Sequence, residues 1–147
     1  LYSCPVIGPG LSAGARDAVV TSVTVRNDQG QAYAAFSADA GRTWGMPIRL
    51  DDGGSLGRVD VELLEDGTAV ASWVEYRKEN SELRIRAIDR NGGRSAPVTV
   101  AGVGGGNTSG FPRMARDGDE LVFAWSAIPP GGDRAALQVY TATAELP

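Results

Sequence analysis

Thr68–Val74 reads TAVASWV and Glu120–Ser126 reads ELVFAWS, and the tryptophans near their ends, Trp73 and Trp125, lie 52 positions apart. In both runs apolar residues alternate with small or polar ones, the period of two that marks a half-buried strand. Each run follows an acidic turn containing glycine, Glu65-Asp66-Gly67 in one case and Asp117-Gly118-Asp119 in the other. Gly and Asp tolerate the positive φ that short hairpins demand, so each turn is expected to join a first strand to a second one. Outward from these hairpins the pattern continues in Ala18–Val25 (AVVTSVTV), Ala32–Ser37 (AYAAFS), Arg58–Leu64 (RVDVELL) and Glu82–Asp89 (ELRIRAID). Turn signals interrupt every run before a helix of useful length forms. The chain therefore reads as an all-β, antiparallel domain.

The 52-residue offset recurs elsewhere. Ser37–Trp44 (SADAGRTW), shifted by 52, falls on Asp89–Ala96 (DRNGGRSA), which keeps Gly, Arg and a hydroxyl, and Ala18–Val25 matches Ala69–Tyr76 at an offset of 51. The sequence divides into about three repeats of a four-stranded unit, residues 4–50, 57–101 and 110–147, the last cut short. Four short strands recurring about every 50 residues is the arithmetic of a β-propeller. Closed propellers use typically about 4–8 blades, and three would leave two large apolar blade faces open to water. The simplest closure is a two-fold homodimer of six blades; the other is that the chain is half of a longer one. The third repeat stops at Tyr140–Pro147 (YTATAELP), about where its fourth strand should begin. A strand donated by a partner, from the segment around Leu1, is expected to cap that edge.

Composition removes several chemistries. The 147 residues include no His and one Cys, Cys4. That excludes Ser-His-Asp and Cys-His triads, His-ligated zinc, an internal disulfide and a thiolate metal cluster. Chemistry must rest on carboxylates, Tyr, Arg or the lone thiol. With 14 Lys and Arg against 18 Asp and Glu, the formal charge is −4, so the broad basic surface needed for nucleic acid is missing. No apolar run has the length of a transmembrane helix, and none has the pattern of a signal peptide. The sequence starts at Leu1 without an initiator Met, which reads as the removal of a leader or an upstream region.

Ser37-Ala-Asp39-Ala-Gly41-Arg42-Thr43-Trp44 matches the S-x-D-x-G-x-T-W pattern of the Asp box, and on these residues the chain resembles the sialidase (neuraminidase) superfamily of Asp-box, or BNR-repeat, propellers. The match is degenerate at Asp89–Ala96, and the repeat period extends the resemblance over the whole chain. It implies that Ser37, Asp39, Gly41, Thr43 and Trp44 are structural and lie opposite the functional face. In that role Asp39 accepts N–H bonds of the turn, Gly41 takes a positive φ and Trp44 packs between blades. The resemblance also implies a secreted or periplasmic bacterial setting. Family sialidases use an arginine triad on the substrate carboxylate, a Tyr–Glu nucleophile pair and an Asp acid/base. No motif in this chain fixes those residues one by one, and none is carried over.

Propeller topology gathers the starts of first strands and the ends of second strands on one face. That selects Cys4, Arg58, Asp60, Arg113 and Glu75 as candidate catalytic residues, with Tyr76, Arg77 and Asn107 as ligand-binding candidates. The Gly-rich rims Asp51–Gly57 (DDGGSLG) and Ala101–Gly110 (AGVGGGNTSG) belong to the same face. Arg58 and Asp60 are two apart and share one side of a regular strand. With Arg113 they suit an anion, or form an ordinary ion pair in a polar channel. Glu75 and Tyr76, being adjacent, point to opposite faces.

Cys4 is either a small buried hydrophobe or a thiol in the channel mouth. Asp51-Asp52-Gly53-Gly54 and Asp117-Gly118-Asp119-Glu120 are oxygen-rich turns, read as solvated turns or as ligands for a divalent cation, the one cofactor the sequence leaves open. Three functions follow. The first is a sialidase-like propeller whose axial pocket takes a carbohydrate or other anionic small molecule, with glycoside-hydrolase ancestry. The second is a non-catalytic scaffold binding glycan or protein. The third is a hydrolase of activated esters or phosphoesters using Cys4 or a carboxylate-bound metal at the dimer axis.

Overall fold

A computed structural model describes residues 8–77, 80–104, 110–129, 131–133 and 136–147. Their strands form three antiparallel sheets, each a meander in which sequence neighbours pair. The first holds β1 (Gly10–Ala13), β2 (Ala18–Arg26), β3 (Gln29–Ser37) and β4 (Ile48–Arg49). The second holds β5 (Ser55–Leu63), β6 (Ala69–Arg77), β7 (Asn80–Ile88) and β8 (Val98–Gly102). The third has three strands, β9 (Arg113–Asp117), β10 (Glu120–Ala127) and β11 (Gln138–Glu145). This is the all-β, propeller-type architecture that the 52-residue offset predicts.

The burial of the second strands shows how the sheets stack. β6 is buried at every position from Ala69 to Glu75, because its sheet is covered on both faces. β10 alternates exposed and buried, because its sheet is covered on one. Between the first and second sheets lie Val19, Phe36, Leu50, Val61, Trp73 and Ile88. Between the second and third lie Val70, Leu83, Ile85, Leu121 and Phe123. Each such side chain contributes about 1.5–3 kcal/mol by leaving water. On the uncovered face of the first sheet Leu11 pairs beside Val20, which pairs beside Ala35, and Leu11 is 64% exposed. On that of the third sheet Val122 and Val139 are open to solvent.

The first strands lie side by side. Gly10 of β1 approaches β5 so closely that a Cβ there would stand 2.9 Å from the Asp60 Cα, which explains a glycine at this position. Ser12 accepts the Leu63 N–H at 3.0 Å, and β9 packs on the other flank of β5.

The turn between β3 and β4 is the S-x-D-x-G-x-T-W segment. Asp39 Oδ1 accepts the Thr43 N–H at 2.8 Å, its Oδ2 accepts the Thr43 hydroxyl at 2.7 Å, and Ser37 Oγ accepts the Gly41 N–H at 2.9 Å. Gly41 has φ 81°. At the 52-residue offset, between β7 and β8, Asp89 Oδ1 accepts the Gly93 N–H at 3.1 Å, so Asp89 does the work of Ser37. Trp44 departs from expectation. It is 42% exposed and borders a surface cleft with Arg90 and Asn91 of the second sheet, where tight packing between blades was predicted.

Candidate functional site

The start of β5 is irregular. Its pairing with β6 slips between Ser55 and Gly57 and again between Gly57 and Asp60, and Arg58 adopts φ 55°, a left-handed conformation for a non-glycine residue. Such a conformation costs roughly 1–3 kcal/mol and persists only where the surroundings impose it. A bulge re-aims the side chain it carries. The alternation that would put Arg58 and Asp60 on one side of a regular strand therefore does not apply, yet both side chains reach the same neighbouring segment. The Arg58 guanidinium lies over the Phe111 ring, 5.7 Å from its centroid. Burial lowers the Arg58 pKa from its ordinary value.

Asp60 is 5% exposed. Its Oδ2 accepts the Met114 N–H of β9 at 3.0 Å and its Oδ1 accepts the Val61 N–H at 3.1 Å. The Arg113 Nε stands 3.4 Å from Oδ2, while most of the Arg113 side chain is exposed. Two residues further along β5, Glu62 is held above the usual carboxylate range by burial and by the Asp60 charge, against a hydrogen bond from Ser12 and the Arg116 charge. The first strands of all three sheets thus converge on a cluster with two guanidinium groups, two carboxylates and the half-exposed Phe111 ring. Sequence reading missed Phe111 and Glu62. Their signal was position alone: Phe111 is two residues before Arg113, and Glu62 two after Asp60.

Glu75 is not part of this cluster. It is fully buried and faces the first sheet, where its Oε2 accepts the Trp73 indole N–H at 2.8 Å and its Oε1 binds Arg84 at 3.0 Å and Arg77. A carboxylate so enclosed has no path to a substrate, so the catalytic expectation for Glu75 is corrected to a packing role. Arg77 is drawn onto Glu75, with half of its side chain in solvent. Tyr76 points the other way, as adjacency required, and is 50% exposed beside Gly54, whose carbonyl accepts its N–H. Cys4 and Asn107 lie outside the described residues, as does the basis of a Cys4 hydrolase.

The Asp51–Gly54 turn is occupied by protein. Asp51 is 2% exposed and accepts the Ala32 N–H at 2.7 Å and the Gly53 N–H at 2.9 Å while pairing with Arg49. Burial alone would raise its pKa, but the Arg49 hydrogen bonds and these N–H groups outweigh it and the net direction is down. Asp52 is held by Arg86 at 2.9 Å. Among the described residues no group of three His, Cys, Asp or Glu stands close enough to hold a metal ion. No described helix is long and apolar enough to cross a membrane.

The fold is shared with solved glycoside hydrolases built as five-bladed β-propellers. Xylan β-1,4-xylosidase from Bacillus halodurans superposes with a TM-score of 0.59 at 14% identity, over 92% of this chain and 27% of that one. A mutant of the GH43 protein BlXynB from Bacillus licheniformis superposes with a TM-score of 0.53 at 13% identity, again over 92% of this chain and 27% of that one. The chain thus spans about a quarter of the length of the proteins it resembles. No family model and no curated protein matches the sequence. At these identities the likeness shows the fold alone, an antiparallel β-propeller.

Proposed function

We propose that the protein is a sialidase-like, glycoside-hydrolase-type propeller that takes an acidic saccharide, or another anionic small molecule, at the cluster of Arg58, Asp60, Phe111 and Arg113. The observation that carries this reading is the bridge between the buried Asp60 carboxylate of β5 and the exposed Arg113 of β9, with Arg58 of β5 lying over the neighbouring Phe111 ring. Arg113 is fixed at its Nε by Asp60 and exposes the rest of its planar fork, which matches a carboxylate in bidentate fashion. Phe111 offers a ring face beside it. Glu62, with its raised pKa, holds a proton at higher pH than an ordinary glutamate, as a general acid requires. The Asp39 turn, with Ser37, Gly41 and Thr43 bonded to one another, supports the Asp-box part of the reading.

In this reading a second copy closes the ring to six blades. The row from Leu11 to Ala35 and the face bearing Val122 and Val139 are what the partner would cover, a hydrophobic area that three blades cannot bury alone.

Turnover of a fluorogenic sialoside tests the function. The reading expects turnover in the wild-type protein and its loss in Arg58→Ala and Arg113→Ala. One observation favours the second reading, a non-catalytic glycan-binding propeller: both Asp60 oxygens are already taken by backbone N–H groups. Absence of turnover on every acidic and neutral glycoside, with acidic glycan binding retained, would select it.

A further inference from the structure

The two interfaces between sheets are built from the same repeat and filled differently. In the second sheet Trp73 pairs across the strands with Arg84, and two residues on, Glu75 accepts the indole N–H. In the third sheet Trp125 pairs with Tyr140, and the residue 52 positions after Glu75 is Ala127. Arg77, the other cation on Glu75, has Pro129 as its counterpart. Where the first interface holds a carboxylate clamped by two arginines, the second therefore has a methyl group, a phenol and a proline. Among the described residues the space is not refilled. A cavity of about 490 Å³ opens there, lined among others by Asn80, Val103, Trp125, Ala127, Pro129 and Tyr140. That volume lies within the range of about 300–1,000 Å³ typical of small-molecule sites.

We infer that this cavity is a binding site for a neutral saccharide, distinct from the Arg58–Arg113 cluster, with which it shares no residue. Three features choose the ligand class. Trp125 and Tyr140 are stacked, their centroids 6.1 Å apart and their planes 18° from parallel, and such paired rings present apolar walls to the C–H face of a pyranose. Among the described residues the repeat sets an acceptor beside the indole at Trp73 and none at Trp125, so a sugar hydroxyl takes the place that Glu75 fills in the second sheet. The Asn80 carboxamide and the backbone of Gly102 and Gly104 stand at the lining to supply further hydrogen bonds. No charged side chain lines the cavity among the described residues.

The test is NMR titration of the full chain with methyl β-D-xyloside, methyl β-D-glucoside and methyl β-D-galactoside, with methyl β-D-glucuronide as the charged control. The wild-type protein should bind at least one neutral glycoside with a Kd of about 1 mM, shifting the Trp125 indole N–H resonance and leaving that of Trp73 in place. Assignment comes from Trp125→Phe. Ala127→Leu fills the cavity, and Ala127→Glu combined with Tyr140→Arg rebuilds the second sheet's arrangement. Each should weaken binding about tenfold or more, whereas Arg113→Ala should leave it unchanged. Failure of every neutral glycoside to move the Trp125 signal, equal binding of the glucuronide, or unaltered binding in a folded filled variant would each overturn the inference. Because the wild-type titration needs only the assignment from Trp125→Phe, the result stands even if both cavity-filling variants fail to fold. The Arg113→Ala control separates it from the fate of the acidic-saccharide reading.

Discussion

The Trp73 indole donates to Glu75 at 2.8 Å with both side chains fully buried, and Arg84 binds the same carboxylate from the neighbouring strand. This arrangement makes an acidic residue at the end of a second strand part of the packing between sheets. Glu75→Ala leaves a buried indole N–H and a nearly buried guanidinium without their acceptor, a loss of about 3–5 kcal/mol. Denaturant unfolding should show that loss. At temperatures where the variant is folded, binding of acidic saccharide should match the wild-type protein.

Asp60 has a double role. It ties β5 to β9 through the Met114 N–H and orients Arg113. Asp60→Ala strands a buried N–H and should cost about 1–3 kcal/mol in unfolding experiments. Unlike Glu75→Ala, it should also weaken binding of an acidic saccharide, because the Arg113 fork is no longer fixed. Destabilisation with undiminished binding would make Asp60 a structural residue only.

Asp39 gives a pH signature. The Thr43 N–H, the Thr43 hydroxyl and the Ser37 hydroxyl lower its pKa from 3.8 to about 2. A carboxyl whose folded pKa is depressed contributes stability that is complete above its unfolded pKa and is lost as pH falls through the folded one. Its share therefore disappears between about pH 4 and pH 2. Thermal unfolding midpoints of the wild-type protein should fall through that window, and Asp39→Asn should flatten the slope there.

Closure by a second copy is checked by light scattering. The expected particle has twice the 15.3 kDa chain mass, and Val139→Glu or Leu11→Glu, on the uncovered sheet faces, should shift it toward the single chain. A wild-type particle of one chain mass would contradict the six-blade dimer.

The fold was legible because its strands carry their own period. TAVASWV and ELVFAWS repeat in sequence and pair in the structure with third strands in the same order, Trp73 with Arg84 and Trp125 with Tyr140. The site was legible in part. Topology brought Arg58, Asp60 and Arg113 to one place, but the bulge that places Arg58 over Phe111 depends on a φ of 55° that no alternation rule predicts. Glu75 was misread for a different reason. Its position at the end of β6 was right, but its depth follows from Trp73 and Arg84 of its own sheet and from the first sheet packed over them, and strand period alone cannot show which end of a strand stays covered. Trp44 departs in the opposite sense, exposed where packing between blades was expected.

The central claim is that Arg58 and Arg113 together hold an acidic saccharide at the first strands. Calorimetric titration with N-acetylneuraminic acid, compared between the wild-type protein and the Arg58→Ala and Arg113→Ala variants at low and high salt, tests it most directly. Binding should weaken with salt and fall at least about tenfold in each variant, about 1.4 kcal/mol. Binding of equal strength in all three proteins, or no binding by the wild-type protein, would contradict it.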